Sequence, residues 1–482
     1  MKRALASAAA LAMCTGVAVA QHAAASVSLA GTFLVTRSAD DGNPGSLRWA
    51  ITQADSSSGG SPAIIITPQA GIITLNSLLP SITHPMRIIG EAGSRPVGID
   101  GRNVVDTSTA MSCPGWAGGY GPDVRTISFP GFAVMDTSNV TISHVTVQNI
   151  CIGMLSLRGA HNTFSYDVLK DTVGGAGIMV TGDDGNGNST TGVSIDDVVS
   201  HDTFLNNGDD MELTRGTSNS VVSYNTFMHT TAAAPAGDIP SQEIEFAGAG
   251  DNYNTVIGNT FLGGMSDGLQ LTGTGSLIEG NYIAGDANAI DLNSTNTTYI
   301  NNTITGNHQG INGSGTGNTI THNSIYANGA PVSICNAGGI CSNNPQYAKA
   351  ILGIDLGPAG VTPNDPGDTD KVQNCPGLAS TSARGATMQV QGTLSSKPDR
   401  SYHIEVYANK EASAAGYGEG QRLAGETTVT TDANGNAQFS VALPAAAALS
   451  QAGFRYLAST ATDQTTGQTS EFSADLGFTQ GS

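Results

Sequence analysis

Between Gly177 and Gly313 the apolar positions follow one repeating pattern: a short alternating strand, a turn, and then an Asn-centred turn. The strands read Gly177-Ile178-Met179-Val180, Asp210-Met211-Glu212-Leu213, Glu243-Ile244-Glu245-Phe246, Gly268-Leu269-Gln270-Leu271, Ala289-Ile290-Asp291-Leu292 and Gly310-Ile311-Asn312-Gly313. Ile178, Met211, Ile244, Leu269, Ile290 and Ile311 lie 33, 33, 25, 21 and 21 residues apart, the period of stacked units that bury a shared core. Alternation sends Met211 and Leu213 inward and predicts Asp210 and Glu212 outward, with Glu243 and Glu245 outward on the next rung. A second column, Asp167, Asp197, Asn225, Asn259, Asn281, Asn302 and Asn323, predicts a ladder whose side chains hydrogen-bond the turn backbone. The pattern is that of an all-β parallel β-helix; the Leu spacing of a leucine-rich repeat is absent.

Less regular rungs precede Gly177, as in Val140-Thr141-Ile142 and Met154-Leu155-Ser156-Leu157, and the repeat fades after Gly329. Asn43 to Ala54 reads as a short amphipathic helix, with Asn43 as N-cap and Pro44 in the first position, suited to covering the open end of a solenoid. The β-helix with this cap is expected over residues 31–357, followed by a Pro/Gly/Asp-rich linker over 358–379. From 380 to 478 the period becomes that of antiparallel strands, and Asp432-Ala433-Asn434-Gly435 reads as a hairpin turn. This predicts a small β-sandwich, favoured as a cap over a glycan-binding module because no aromatic platform is evident. Asp365, Asp368 and Asp370 in the linker read as a solvated turn before a Ca²⁺ loop, since EF-hand spacing is missing.

Composition adds the compartment. Met1-Lys2-Arg3, the apolar run to Ala20 and the small-residue site Ala18-Val19-Ala20 predict a signal peptide over 1–20 and a secreted, periplasmic or extracellular protein. No later apolar run is long enough to span a bilayer, so membrane insertion is not expected. A formal charge of −20 argues against nucleic acid as a partner. Cys335 with Cys341, and Cys113 with Cys151, are possible disulfide pairs alongside free thiols.

Ser46-Leu47-Arg48-Trp49-Ala50-Ile51, the Ile64-Ile65-Ile66 and Ile72-Ile73-Thr74-Leu75 strands and Ile88-Ile89-Gly90 resemble the N-terminal part of secreted bacterial right-handed parallel β-helix proteins with a Ser-Leu-Arg-Glu-Ala segment, within the pectin lyase-like superfamily. Trp49 stands where the acidic or amide residue is usual. The resemblance implies the fold and a tail of the same kind as Thr469-Ser470-Glu471-Phe472-Ser473, but no reaction.

The chemistry concentrates where the repeat is longest. Extra residues at Thr181 to Gly192, Asn206 to Asp209 and Thr231 to Ser241 flank the face expected to carry Asp210, Glu212, Glu243 and Glu245, a groove suited to a polysaccharide. Four crowded carboxylates call for protonation or a cation. With rungs about 4.8 Å apart, Glu212 and Glu245 approach the roughly 5 Å of a retaining glycosidase pair, and Asp210 with Glu245 the roughly 6.5–9.5 Å of an inverting one. Val193-Ser194-Ile195-Asp196, Glu212-Leu213-Thr214-Arg215-Gly216-Thr217 and Phe246-Ala247-Gly248-Ala249-Gly250-Asp251 resemble the core of the pectate lyases, which implies Ca²⁺ carboxylates at Asp196 and Glu212; with Asp210 these form the expected metal set. Glu243 replaces the Lys of that motif and no Arg follows Phe261, so the cations that claim an acidic uronate are missing. The expectation is a secreted polysaccharide-binding β-helix, a glycoside hydrolase or lyase acting through an acidic groove. The alternative is a non-catalytic surface spacer with a solvated acidic stripe.

Overall fold

The computed structural model describes residues 31–105, 129–172, 176–182, 192–229, 242–263, 266–329 and 351–479. The segment expected as a signal peptide, Cys113, Cys335, Cys341 and most of the two long insertions lie outside them. The solenoid consists of three parallel sheets of eleven, ten and nine strands, in which each rung pairs in register with the next. Met211, for example, aligns with Ile178 on one side and Ile244 on the other. The inward columns are fully buried, and aromatic side chains stack along the axis: Phe204 on Phe227 at 4.7 Å and Phe227 on Phe261 at 4.8 Å between centroids. That separation equals the rung spacing, so the rings stack because the strands do.

Each rung turns three corners, and each corner uses the same two-residue device. A residue in the left-handed region points out, and the next points in and hydrogen-bonds the rung below. Between the first and second sheets the left-handed residues include His144, Tyr166, His201 and Tyr224, whose φ values are 60°, 60°, 62° and 56°. Their rings stack outside the solenoid at 5.0, 4.7 and 5.4 Å. The inward residues of this corner are Asp167, Asp202, Asn225, Asn259, Asn281, Asn302 and Asn323, each accepting the backbone N–H of the ladder residue before it or, for Asp167, of Val145. Asn225 Nδ2 also donates to Val199 O at 3.0 Å and to Asn259 Oδ1 at 3.0 Å, so both ends of each amide are used. Asp197, expected in this column, belongs to the corner between the third and first sheets. There it accepts from Asn162 N at 2.7 Å, and the outward residue before it is Asp196 at φ 58°.

The N-terminal helix spans Leu47–Asp55 and buries Leu47, Ala50, Ile51 and Ala54. Its N-cap is Ser46, whose Oγ accepts from Trp49 N at 3.2 Å, and not Asn43 three residues earlier. Ser46 is fully buried where a hydroxyl satisfies the first turn, while Asn43 lies in the preceding exposed turn. Arg48 binds Asp40 through two 2.9 Å contacts and donates to Leu78 O at 2.7 Å, fixing the helix on the first rungs.

Beyond the solenoid, residues from Gly377 form two antiparallel sheets of three and four strands. The turn Asp432–Gly435 is closed by Gly435 N to Asp432 O at 2.9 Å, but it is not a hairpin. Arg422–Thr430 and Asn436–Pro444 pair in different sheets, so the turn crosses the sandwich. The preceding stretch is fixed: Asp368 is buried, accepts from Asn374 N at 2.7 Å and pairs with Lys397 Nζ at 3.0 Å. Cys151 is buried and disulfide-bonded, its partner lying outside the described residues. No helix among the described residues is long and apolar enough to cross a membrane.

Two positions of the first ladder are acids where later rungs have amides. Burial pushes Asp202 up to about 8 and, with the Asp202 charge adding to it, Asp167 well above the usual carboxylate range. A protonated Asp202 keeps Oδ1 as acceptor for Asp167 N and gives Oδ2 a proton, as Asn225 Nδ2 has. Its folded pKa is raised, so the folded state binds more protons, and stability falls as pH rises from about 4 to about 8. Asp202→Asn should therefore match the parent near pH 4 and exceed it at pH 8 by on the order of 2–3 kcal/mol, read by urea unfolding at the two pH values. An equal or lower stability at pH 8 would show Asp202 to be ionised in the fold.

Candidate functional site

The third sheet carries the acidic face. Its strand Asp209–Thr214 is buried throughout, with Asp209, Glu212 and Thr214 on the outer side of the core-facing Met211 and Leu213. Strict alternation fails at the entry of each strand. By register, Asp210 and Glu243 share a column with Gly177, Gly268, Ala289 and Gly310. That column points inward: a Cβ on Gly177 would meet Phe204 Cδ1 at 2.8 Å, and one on Gly268 would meet Ile283 Cγ2 at 2.9 Å. Two successive residues, 210 and 211, thus face the interior where the chain bends from corner to strand. The expected outward placement of Asp210 and Glu243 is corrected, since both are fully buried.

Inside, Asp210 accepts from Asn207 Nδ2 at 2.8 Å. Burial raises its carboxyl to about 6, with the nearby His229 opposing. Asp196, expected in a Ca²⁺ set with Asp210 and Glu212, sits at the corner between the third and first sheets with its carboxylate 3.8 Å from His161 Nδ1. It is therefore not in the cluster the strands assemble.

That cluster is Asp209, Glu212 and Glu245, one oxygen of each lying within 4.8 Å of the others. Glu212 and Glu245 are direct partners across adjacent rungs, and Asp209 stands on the outward column that starts the strand. Asp209 Oδ1 accepts from Gln242 N at 2.8 Å, which holds that carboxylate along the rung. Gln242 Nε2 donates to Gln270 Oε1 at 3.1 Å, placing two amides beside the acids.

The next rung adds Asp267, which is buried and receives Asn288 Nδ2 at 2.6 Å and Ser266 Oγ at 3.2 Å. Burial lifts its pKa to about 7 against those hydrogen bonds, and the charges of Asp291 and Glu245 add to the rise. The face therefore combines carboxylates able to share a cation with one that holds a proton near neutrality.

Asp209 and Asp267 were not singled out from sequence. The signal was there in the small residues: Gly268, Ala289 and Gly310 precede the core-facing Leu269, Ile290 and Ile311, marking a column with no room for an outward reading. The outward polar residue is then the one before it, giving Asp209, Gln242, Asp267, Asn288 and Gln309. Upstream on the same outer face, Leu155 and Met179 replace the acids and pack with Ile152, Leu157 and Ala176 in a separate apolar cluster. The acidic face thus begins abruptly at the rung of Asp209.

Residues 244–356 match the family described as "Right handed beta helix region". A 3-dehydroshikimate dehydratase of Acinetobacter baylyi is 36% identical over 239 residues, which is 48% of this chain and 48% of that protein. The chain thus spans about half the length of the curated relative it matches. Among solved structures, Geobacillus virus E2 ORF18 superposes with a TM-score of 0.47 at 13% identity, covering 85% of this chain and 75% of the other. An alginate lyase from Paenibacillus sp. str. FPU-7 does so with 0.42 at 12%, covering 62% and 96%. With three parallel sheets in register and the family match within them, the solenoid is a right-handed parallel β-helix.

Proposed function

We propose that this protein binds a polysaccharide across the outer face of the third sheet and cleaves it by proton transfer at the Asp209, Glu212, Glu245 and Asp267 cluster. The observation that carries this reading is the convergence of three carboxylate oxygens within 4.8 Å beside a buried acid raised to about 7. Three carboxylates at that separation favour a shared proton or a cation among them. The donor set is entirely oxygen, which suits a hard ion such as Ca²⁺ and not a thiolate- or imidazole-seeking metal. Asp209, Glu212 and Glu245 are the residues that would hold it, and a bound cation would neutralise negative charge developing on the substrate.

The chain's own groups divide the remaining work. Asp267, raised to about 7, is partly protonated at neutral pH and can give its proton to a leaving oxygen, and Gln242 and Gln270 present amides to sugar hydroxyls. The nearest oxygens of Asp209, Glu212 and Glu245 lie closer than the roughly 6.5–9.5 Å between the carboxyl groups of an inverting pair. An elimination, or a retaining displacement between Glu212 and Glu245, fits better. Export is part of the same proposal, supported by the leader-like residues 1–20 and by the disulfide at Cys151, a bond that persists in oxidising compartments.

A second reading rests on the relative named as a 3-dehydroshikimate dehydratase: loss of water from a small hydroxylated ring acid, also by proton abstraction and leaving-group protonation. Purified protein should be incubated with a polysaccharide panel and, separately, with 3-dehydroshikimate, each with and without Ca²⁺. Polysaccharide turnover is the expected outcome. Dehydration of 3-dehydroshikimate alone would replace it with the second reading, and silence in both arms would leave the solenoid as a spacer.

On whichever substrate turns over, Glu212→Gln and Glu245→Gln should each lower kcat/KM by about 100-fold or more while retaining the fold, as each removes a charged oxygen donor. Asp291→Asn, two rungs beyond Glu245 in the same column, should have a much smaller effect, since it reaches the chemistry only through the charge it adds near Asp267. Unchanged rates in both Glu variants would remove the cluster from the chemistry.

A further inference from the structure

The C-terminal domain leaves one long strand edge unpaired. In its three-stranded sheet Gly377–Arg384 is an outer strand: it pairs with Thr387–Ser395, which pairs in turn with Asn436–Pro444, and among the described residues no strand lies on its other side. Ala379, Ser380, Ser382, Ala383 and Arg384 are exposed, while Leu378 and Thr381 are half-buried. Proteins commonly guard such an edge with lysine, proline or an inward-pointing charge. This strand has only Arg384, at its end, and on a chain of net charge −20 it holds no acid. Its one irregularity is a bulge between Leu378 and Ser380, which closes the regular stretch on that side.

The turn that follows decides which backbone groups are free. Arg384 and Thr387 are register partners separated by Gly385, at φ 64°, and Ala386. A two-residue turn of this kind closes on a hydrogen-bonded pair, and Arg384 O accordingly faces Thr387, whose Oγ1 donates to it at 3.0 Å. Bonded and non-bonded pairs alternate along antiparallel strands. Arg384, Ser382 and Ser380 therefore turn N–H and C=O toward Thr387–Ser395, and Ala383 and Thr381 turn theirs to solvent.

The residues themselves indicate what strand would take them. Ala379-Ser380-Thr381-Ser382-Ala383 reads the same in both directions, with Gly377 and Gly385 equally far from its centre. Antiparallel pairing across a two-fold axis at Thr381 sets Thr381 against Thr381, Ser380 against Ser382 and Ala379 against Ala383 of the other copy. At the axis the two Thr381 residues exchange both outward N–H···O bonds, and Thr and Ser pairs across strands are favourable. The two Arg384 side chains fall at opposite ends of the paired stretch, so like charges do not meet.

We propose that two copies of this chain associate through Gly377–Arg384, antiparallel and centred on Thr381, joining their three-stranded sheets into one. A strand pair is a small contact beside the roughly 1,200–2,000 Å² of a stable interface, so the dimer is reversible and forms at high concentration. The acidic face of the solenoid takes no part in it.

The test is sedimentation equilibrium of the full chain from about 5 to 500 µM, a range suited to a contact of this size. Monomer is expected at the low end and dimer at the high end. Thr381→Pro removes the N–H at the axis and spares the bonds to Thr387–Ser395, so it should keep the circular dichroism spectrum and abolish the dimer. Register is read by cysteine: identical residues meet only at the axis, where the spacing of about 5.5 Å between Cα atoms suits a disulfide. In a Cys375→Ser background, Thr381→Cys should therefore cross-link under mild oxidation, while Ala433→Cys, in an exposed turn of the same domain, should not exceed that background. The cysteine arm decides the case if Thr381→Pro loses its fold. A parent that stays monomeric throughout, a dimer that survives in folded Thr381→Pro, or equal cross-linking at 381 and 433 would each overturn the proposal.

Discussion

The structure depends on rung-to-rung pairing of backbone, and that pairing has two ends. Each internal strand gives its N–H and C=O groups to the rungs on either side, but the last rung has no successor, and an unpaired edge invites another chain. Here the sandwich supplies the partners. Glu405 takes His322 N at 3.1 Å, Glu419 takes Ala327 N at 2.7 Å and Asn328 N at 3.0 Å, and Glu471 takes Leu356 N at 2.9 Å. Ile325 and Gly420 exchange two backbone bonds of 2.9 and 2.8 Å. The C-terminal domain is therefore a terminator built largely from carboxylates. At the other end, the helix that Ser46 caps packs Leu47, Ala50, Ile51 and Ala54 against the first rungs.

Polar groups inside the solenoid follow the same accounting. Amides such as Asn259, Asn281 and Asn302 accept one backbone N–H and donate to a carbonyl and to the next amide, so each buried side chain is satisfied in both senses. Acids at such positions lack the amide's donor, and burial favours their protonated form. Burial raises Asp197 to about 6 and Asp251 to about 7 for the same reason it raises Asp202. A solenoid that buries so many short polar side chains relies on the regular corner to place each donor opposite an acceptor.

Much of this was legible from the residues. Rungs, inward columns and the Asn corner could be read because a period of 21 residues repeats the same local problem, and most errors arose where the period changes. Spacing alone points to Asp197 for the first ladder, but Asp202, five residues on, occupies the equivalent corner position in a longer coil. Asp210 and Glu243 were read as outward because alternation was carried one residue past the point at which the chain bends, while Glu212 and Glu245 lay inside the strand, where alternation holds. A ledger of Gly and Ala down each column would have shown which positions face the interior. The seam between the solenoid and the sandwich was not readable at all, as nothing in the chain around His322 signals that Glu405 will stand opposite.

Register also makes the solenoid a ruler. From Glu245 the outward column advances through Gln270, Asp291 and Asn312 to Asp355, four steps of about 4.8 Å, so the acidic face stands about 19 Å along the axis from the last rung. Because each coil meets only its neighbours, that separation can change only in whole coils: removing a unit such as residues 290–310 would move the terminal domain one notch closer and leave Glu212, Glu245, Asp267, Gln242 and Gln270 in place. Related chains that differ by one coil would then hold the acidic face and the terminal domain at another discrete spacing, and length itself becomes an inherited, countable trait.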